Sequence, residues 1–172
     1  IAIMIAKFNY FIKFPNAKSP NLFCDDFFNW FSNNNQLKFN YIISNPPYGA
    51  NLDLSKIPKE FVSSGESFSY FIEFGFKLLK KDGVFRFLLP EAILNVKRHT
   101  DIRDFILDQT NLKKIKRYSK KFSGVMSDVY LIELDYDYGK TMLFINGTTT
   151  VVPKYIYKSF QNHIFVHLTE QD

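Results

Sequence analysis

The chain has 172 residues, 46% of them hydrophobic, with a net charge of +5 and a pI near 9.1. That is enough apolar material for one domain with a real core, and no apolar run is long enough to span a bilayer. The single Cys24 excludes an internal disulfide and fits a reducing, cytoplasmic compartment, while the basic balance is compatible with a polyanionic partner without requiring one.

Ile1, Ile5, Phe8 and Ile12 recur at helical spacing and predict a helix over residues 1–13, ended by Pro15. Its start, Ile1-Ala2-Ile3-Met4, lacks an initiator Met and is too short and uncharged for a signal peptide, so it reads as the middle of a domain. Residues 21–24 are a short strand candidate, followed by Asp25-Asp26 and by a helical turn over residues 27–34. Residues 39–44 are an apolar run rich in β-branched and aromatic side chains, the signature of a buried strand.

That run meets Asn45-Pro46-Pro47-Tyr48. Two prolines stop the strand and fix the backbone at its carboxyl end, where open α/β sheets bind ligands. Prolines carry no N–H, so the turn presents mostly acceptors. The Asn45 side-chain oxygen and a proline carbonyl can accept both hydrogens of one –NH2 group. Gripping a conjugated amine in this way favours a pyramidal nitrogen whose lone pair faces an electrophile. Tyr48 adds a flat face on which a heterocycle can stack. Together these atoms suit methyl transfer to the amino group of a planar base.

Residues 49–65, with Pro58 and Ser63-Ser64-Gly65, read as a mobile loop. An amphipathic helix is predicted over residues 66–81, with Phe68, Phe71, Ile72, Phe76 and Leu79 inward, Lys80-Lys81 against its C-terminal dipole and Asp82-Gly83 closing it. Residues 84–89 form the next strand, stopped by Pro90, and residues 98–109 another helix. Two more strands, 112–118 and 129–134, flank a loop containing Lys120-Lys121-Phe122-Ser123-Gly124, and residues 141–168 read as short β-segments. Alternating strands and helices predict an α/β sheet with parallel strands, and the last two strands are candidates for an antiparallel pair. His99, His163 and His167 are scattered, so no metal set is legible, and Gly65-Glu66-Ser67 is not a nucleophile elbow.

Asn-Pro-Pro-Tyr after an apolar strand resembles the catalytic motif of the N6-adenine DNA methyltransferases, in particular type I modification subunits and related type II enzymes. The resemblance implies S-adenosyl-L-methionine as cofactor, double-stranded DNA as partner with the target adenine flipped out of the duplex, and a specificity or restriction subunit alongside. It makes Asn45, Pro46, Pro47 and Tyr48 the catalytic residues. Cys24-Asp25-Asp26-Phe27-Phe28 is similar to the family's Gly-Asp-Phe motif, which places Asp26 on the cofactor amine and Phe27 beside its adenine ring; the other reading of Asp26 is a helix N-cap. Phe122 matches the aromatic that faces the catalytic Tyr across the flipped base, with Lys120 and Lys121 on phosphates, or else it is a packed core residue.

The family's Gly-rich cofactor loop lies upstream of this motif, yet residues 1–44 contain no glycine. The expected fold is therefore an incomplete Rossmann-like methyltransferase sheet over residues 1–135, with a β-rich extension over residues 136–172 that begins a target-recognition region. In the family's sheet two further strands lie between residues 21–24 and residues 39–44, so these have lost their neighbours, and the polypeptide alone is expected to bind cofactor poorly and to have little activity. A protein-glutamine N5-methyltransferase, an RNA adenine methyltransferase and a degenerate nucleic-acid-binding domain stay open as alternatives.

Overall fold

Ala2–Lys13 is a helix, α1, that stops just before Pro15, whose missing N–H and restriction on its predecessor end helical pairing. The computed structural model describes residues 1–58, 60–118, 128–137, 139, 141–145 and 148–164. The chain divides into two units, Ile1–Asn34 and Asn35–Asp172.

In the first unit α1 keeps Ile5, Phe8 and Ile12 exposed. A second helix, α2 (Phe27–Asn34), follows. The strand expected at residues 21–24 does not form, and the Phe23 ring lies 6.3 Å from Trp30 instead. A strand needs a ladder partner for its N–H and C=O groups, and apolar composition alone supplies none.

The second unit is built on a six-stranded sheet. Its strands are β1 (Phe39–Ser44), β2 (Leu79–Pro90), β3 (Asn111–Tyr118), β4 (Val129–Asp135), β5 (Thr141–Ile145) and β6 (Thr148–Val152), in the order β1-β2-β4-β3-β5-β6. β1 and β2 run parallel, joined through the helix α3 (Ser67–Lys77), and β3 runs parallel to β5. β4 is inserted between β2 and β3, antiparallel to both, so the expected antiparallel pair of the last two strands is present. A further helix, α4 (Thr100–Gln109), precedes β3.

Alternation along the strands separates two faces. Phe85, Phe87, Leu89, Tyr130, Ile132 and Leu134 form the buried face, and α3 and α4 contribute Ile72, Phe74, Ile102 and Ile106 to the core. α3 approaches β2 closely at Gly75, where a Cβ would stand 2.9 Å from the Phe85 ring, so any larger residue forces the two apart. The opposite face carries the Arg86–Glu133 ion pair across β2 and β4 at 2.6 Å, and it exposes Ile43 on β1, the edge strand.

The helix predicted over residues 66–81 ends at Lys77. Phe39 N–H donates to the Leu78 carbonyl at 2.8 Å and Leu79 pairs with Phe39, so β2 starts three residues before the expected Asp82-Gly83 stop. Between the pairs Phe39–Leu79 and Tyr41–Val84, residues 80–83 form an excursion in β2. Gly83 fits there because a Cβ would meet the Asn40 carbonyl at 3.0 Å. Lys80 reaches Asn40 Oδ1 at 3.0 Å rather than capping a helix.

Beyond Asp135 the sheet continues through β5 and β6, and Lys154–Ser159 then forms a helix, α5, where β-structure was expected. Pro153 ends β6 and stands at the head of α5, a position its fixed φ and missing N–H suit. The segment after α5 is held by buried Arg103, whose guanidinium donates to the carbonyls of Asn162 (3.1 Å), Ile93 (3.1 Å) and Val96 (2.7 Å).

Candidate active site

β1 delivers the Asn-Pro-Pro-Tyr turn to the carboxyl end of the parallel β1–β2 pair. Ser44 pairs with Phe87, which sets Asn45 beside Leu88. Pro46 is buried while Asn45 and Pro47 are exposed, and Gly49 takes a φ of +64°, a left-handed backbone that lets the chain turn away directly after Tyr48. The Tyr48 hydroxyl lies 3.0 Å from the Leu88 carbonyl and 3.3 Å from Asn45 Oδ1. Its single proton serves the shorter contact, and Asn45 Oδ1 keeps acceptor capacity. Partial burial pushes the Tyr48 pKa above its ordinary value, so the hydroxyl is a donor at neutral pH.

Behind Tyr48 lies a ladder of rings. Phe68 meets Tyr48 edge-on with centroids 6.5 Å apart, and His99 meets Phe68 at 5.1 Å. Burial holds the His99 pKa below the usual imidazole range, against the opposing pull of Glu66. Glu66, one residue before α3, pairs with Arg98 at 2.9 Å. Beside Asn45 opens a cavity of about 500 Å³ walled by Ile43, Leu88, Tyr118 and Leu131, with Arg86 at its margin.

The described residues of 49–65, expected to be a mobile loop, are tied down instead. The buried Glu73 carboxylate accepts the N–H groups of Phe61 (3.1 Å) and Val62 (2.9 Å). Asp101 Oδ2 accepts those of Ser63 and Ser64, both at 2.7 Å. Asp53 caps the single 3₁₀ turn Leu54–Lys56 through Ser55, and Ile57 and Val62 are buried. Long-range carboxylate acceptors leave no local pattern in a sequence, so composition alone reads such a segment as loose.

Asp26 Oδ1 accepts the N–H groups of Phe28 (3.0 Å) and Asn29 (3.1 Å), the geometry of an N-cap on α2. Phe27, the first residue of α2, is half-buried. Both belong to the first unit, and Asn45 and Tyr48 to the second. Lys120, Lys121 and Phe122 lie outside the described residues. Sequence reasoning missed Ser67 and Phe68 as neighbours of the turn. Phe68 was legible only as a core position, and a serine at the start of a helix carries no distinctive signal. Among the described residues no His, Cys, Asp and Glu cluster suits a metal ion, and no helix is long and apolar enough to cross a membrane.

Solved structures with the same fold include the type I restriction-modification methyltransferase subunit of Streptococcus thermophilus, 12% identical, with a TM-score of 0.62 over 75% of this chain and 37% of that one. The type ISP restriction-modification enzyme LlaGI, solved with a DNA substrate mimic, is 13% identical with a TM-score of 0.61 over 92% of this chain and 21% of that one. A Listeria monocytogenes protein described as a class I S-adenosylmethionine-dependent methyltransferase is 20% identical, with a TM-score of 0.52 over 69% of this chain and 34% of that one. The sheet is thus a Rossmann-like α/β sheet of the kind these proteins have, and the chain spans between about a fifth and two-fifths of their length. No curated protein matches it. The profile of the Eco57I restriction-modification methylases matches residues 2–123, most of the chain, and the chain belongs to that family.

Proposed function

We propose that this chain carries the target-base half of an S-adenosyl-L-methionine-dependent methyltransferase that modifies the N6 amino group of adenine in double-stranded DNA, within a cytoplasmic restriction-modification system. The observation that carries the reading is the Asn45-to-Tyr48 turn, held at the carboxyl end of β1 with Asn45 Oδ1 exposed and Tyr48 anchored through its hydroxyl to Leu88.

In this reading Asn45 Oδ1 and the Pro46 carbonyl accept the two hydrogens of the adenine amine. That withdraws the nitrogen lone pair from the ring and aims it outward. Tyr48, 44% exposed, stacks on the extruded base. The bound cofactor supplies an electrophilic methyl group on a sulfonium. With both hydrogens of the amine held by Asn45 and Pro46, its nitrogen would be the nucleophile toward that methyl group, and its displaced proton would leave to solvent. No general base is required before the transfer, so positioning and polarisation carry the rate.

The fit to the cofactor is partial. Asp26 is exposed and its Oδ1 serves the cap; Asp26 and the half-buried Phe27 that follows it in the chain are assigned to the adenine moiety of the cofactor. Residues 1–44 have no Gly-rich loop for the methionine end. Phe122, Lys120 and Lys121 are assigned to the opposite face of the base and its flanking phosphates. Residues 136–172 are assigned to the start of a target-recognition region, and a specificity or restriction subunit to the assembly.

The test is transfer of labelled methyl from S-adenosylmethionine by the whole enzyme, followed by nucleoside analysis. N6-methyladenine in duplex DNA is the expected product. Label appearing in RNA alone, in protein glutamine, or in no substrate would sink the assignment.

A further inference from the structure

The Pro47 carbonyl is one of four acceptors in the Asn45-to-Pro47 turn, beside Asn45 Oδ1 and the carbonyls of Asn45 and Pro46, and the structure engages it from within the protein. Ser67, fully buried as the first residue of α3, donates its hydroxyl to the Pro47 carbonyl at 2.6 Å. Ser67 Oγ in turn accepts the Ala50 N–H at 3.2 Å. One side chain therefore bridges the backbone on both sides of Tyr48 and Gly49, where the chain reverses with φ at +64°. The next residue, Phe68, packs edge-on against the Tyr48 ring.

We propose that Ser67 is a positioning residue for methyl transfer: it locks the turn so that Asn45 Oδ1 and the Pro46 carbonyl, and not the Pro47 carbonyl, face the substrate amine. The inference rests on the function proposed above. Ser67 touches neither substrate nor cofactor in this arrangement. Its hydroxyl acts in both directions at once, donating to one carbonyl and accepting from one amide, which neither alanine nor a purely apolar residue can do. Without it the Pro47 carbonyl and the Ala50 N–H have to find other partners, and the simplest route is rotation of the peptide planes around Tyr48. A shift of about 1 Å in a group that must align with a reacting atom costs on the order of a hundredfold in rate.

The experiment compares Ser67→Ala, Ser67→Cys and Ser67→Thr with wild type in the whole enzyme. It measures single-turnover methylation of duplex DNA, affinity for DNA and for S-adenosylmethionine, the melting temperature, and deuterium uptake of the peptide spanning residues 45–51. Ser67→Ala is expected to slow the single-turnover rate by about tenfold or more. Both affinities should stay within about threefold, and uptake at residues 45–51 should rise while the core strands keep their protection. Ser67→Thr keeps the hydroxyl and restores most of the rate; Ser67→Cys, a weaker donor of similar size, falls between. A Ser67→Ala enzyme at the wild-type rate overturns the proposal. So does a rate loss matched by equal losses of affinity and melting temperature, the mark of a merely structural residue. If the wild-type enzyme methylates no adenine, the functional reading fails by itself. The deuterium uptake then decides on Ser67: faster exchange at residues 45–51 in Ser67→Ala upholds its hold on the turn, and unchanged exchange refutes it.

Discussion

The Tyr48 hydroxyl donates to the carbonyl of Leu88 at 3.0 Å, tying the Asn-Pro-Pro-Tyr turn on β1 to the end of the neighbouring parallel strand. The ring and the hydroxyl of Tyr48 therefore have separable roles. Tyr48→Phe keeps the ring and loses an exposed hydrogen bond of about 0.5–1.5 kcal/mol, so methyl transfer should fall at most about tenfold. Tyr48→Ala removes the stacking face, about 1–3 kcal/mol, and should reduce binding of a substrate with an extruded base by about 5- to 150-fold. Fluorescence of 2-aminopurine at the target position reads base extrusion directly. Equal effects from the two substitutions would refute the division of roles.

Asn45 is exposed and keeps acceptor capacity toward an incoming amine. Asn45→Ala removes one of the two acceptors and should lower the single-turnover rate by about 10²–10³, the range for a preorganised polar group lost from an active site. Duplex DNA affinity should change by no more than a few-fold. The measurement is pre-steady-state transfer with cofactor and DNA saturating.

Glu73 ties the loop before α3 to the helix itself. Its buried carboxylate accepts two backbone N–H groups and pairs with Lys77 at 3.2 Å. Glu73→Gln leaves one oxygen acceptor and turns an NH2 group toward a backbone N–H, so about 1–3 kcal/mol of stability should be lost. Urea denaturation with an unchanged m-value measures it. Proteolysis between residues 58 and 66 should accelerate in the same variant, and an unchanged cleavage rate would argue against the tether.

Tyr130 gives a pH dependence of defined sign. Its hydroxyl is buried on β4 with no hydrogen-bond partner among the described residues, and burial pushes its pKa up to about 12. The folded state holds this proton more tightly than the unfolded chain, whose tyrosines titrate near 10. The associated stability is complete below pH 10 and is lost as pH rises from about 10 to about 12, by about 1.4 kcal/mol per pH unit. Tyr130→Phe removes this group from the titration, so its alkaline unfolding midpoint should move upward. Circular dichroism between pH 9 and 12 checks it.

Much of the second unit was legible from local pattern. β1 was expected over residues 39–44 as a buried strand; it occupies those residues, where an apolar β-branched run meets two prolines, but at the edge of the sheet it leaves Phe39, Tyr41 and Ile43 exposed. In the first unit α1 lies where periodicity put it, and α2 forms where a helical turn was expected over residues 27–34. The turn at Asn45 was legible as chemistry because its acceptor content follows from proline having no N–H. Residues 21–24 misled because strand propensity needs a partner that residues 21–24 do not have in the described sheet. Residues 78–83 misled because Lys-Lys-Asp-Gly is the usual end of a helix, and pairing with β1 overrode it.

The sequence by itself determined which strand carries the Asn-Pro-Pro-Tyr turn and what that turn can accept, since both depend on residues adjacent in the chain. Only the tertiary structure decided how the turn is held. The Leu88 carbonyl, the Ser67 hydroxyl, and the Glu73 and Asp101 carboxylates reach it or its loop from positions 11 to 40 residues away. Hydrogen bonds over that separation are set by the pairing of β1 with β2 and by where α3 and α4 start, and no local pattern of residues encodes them.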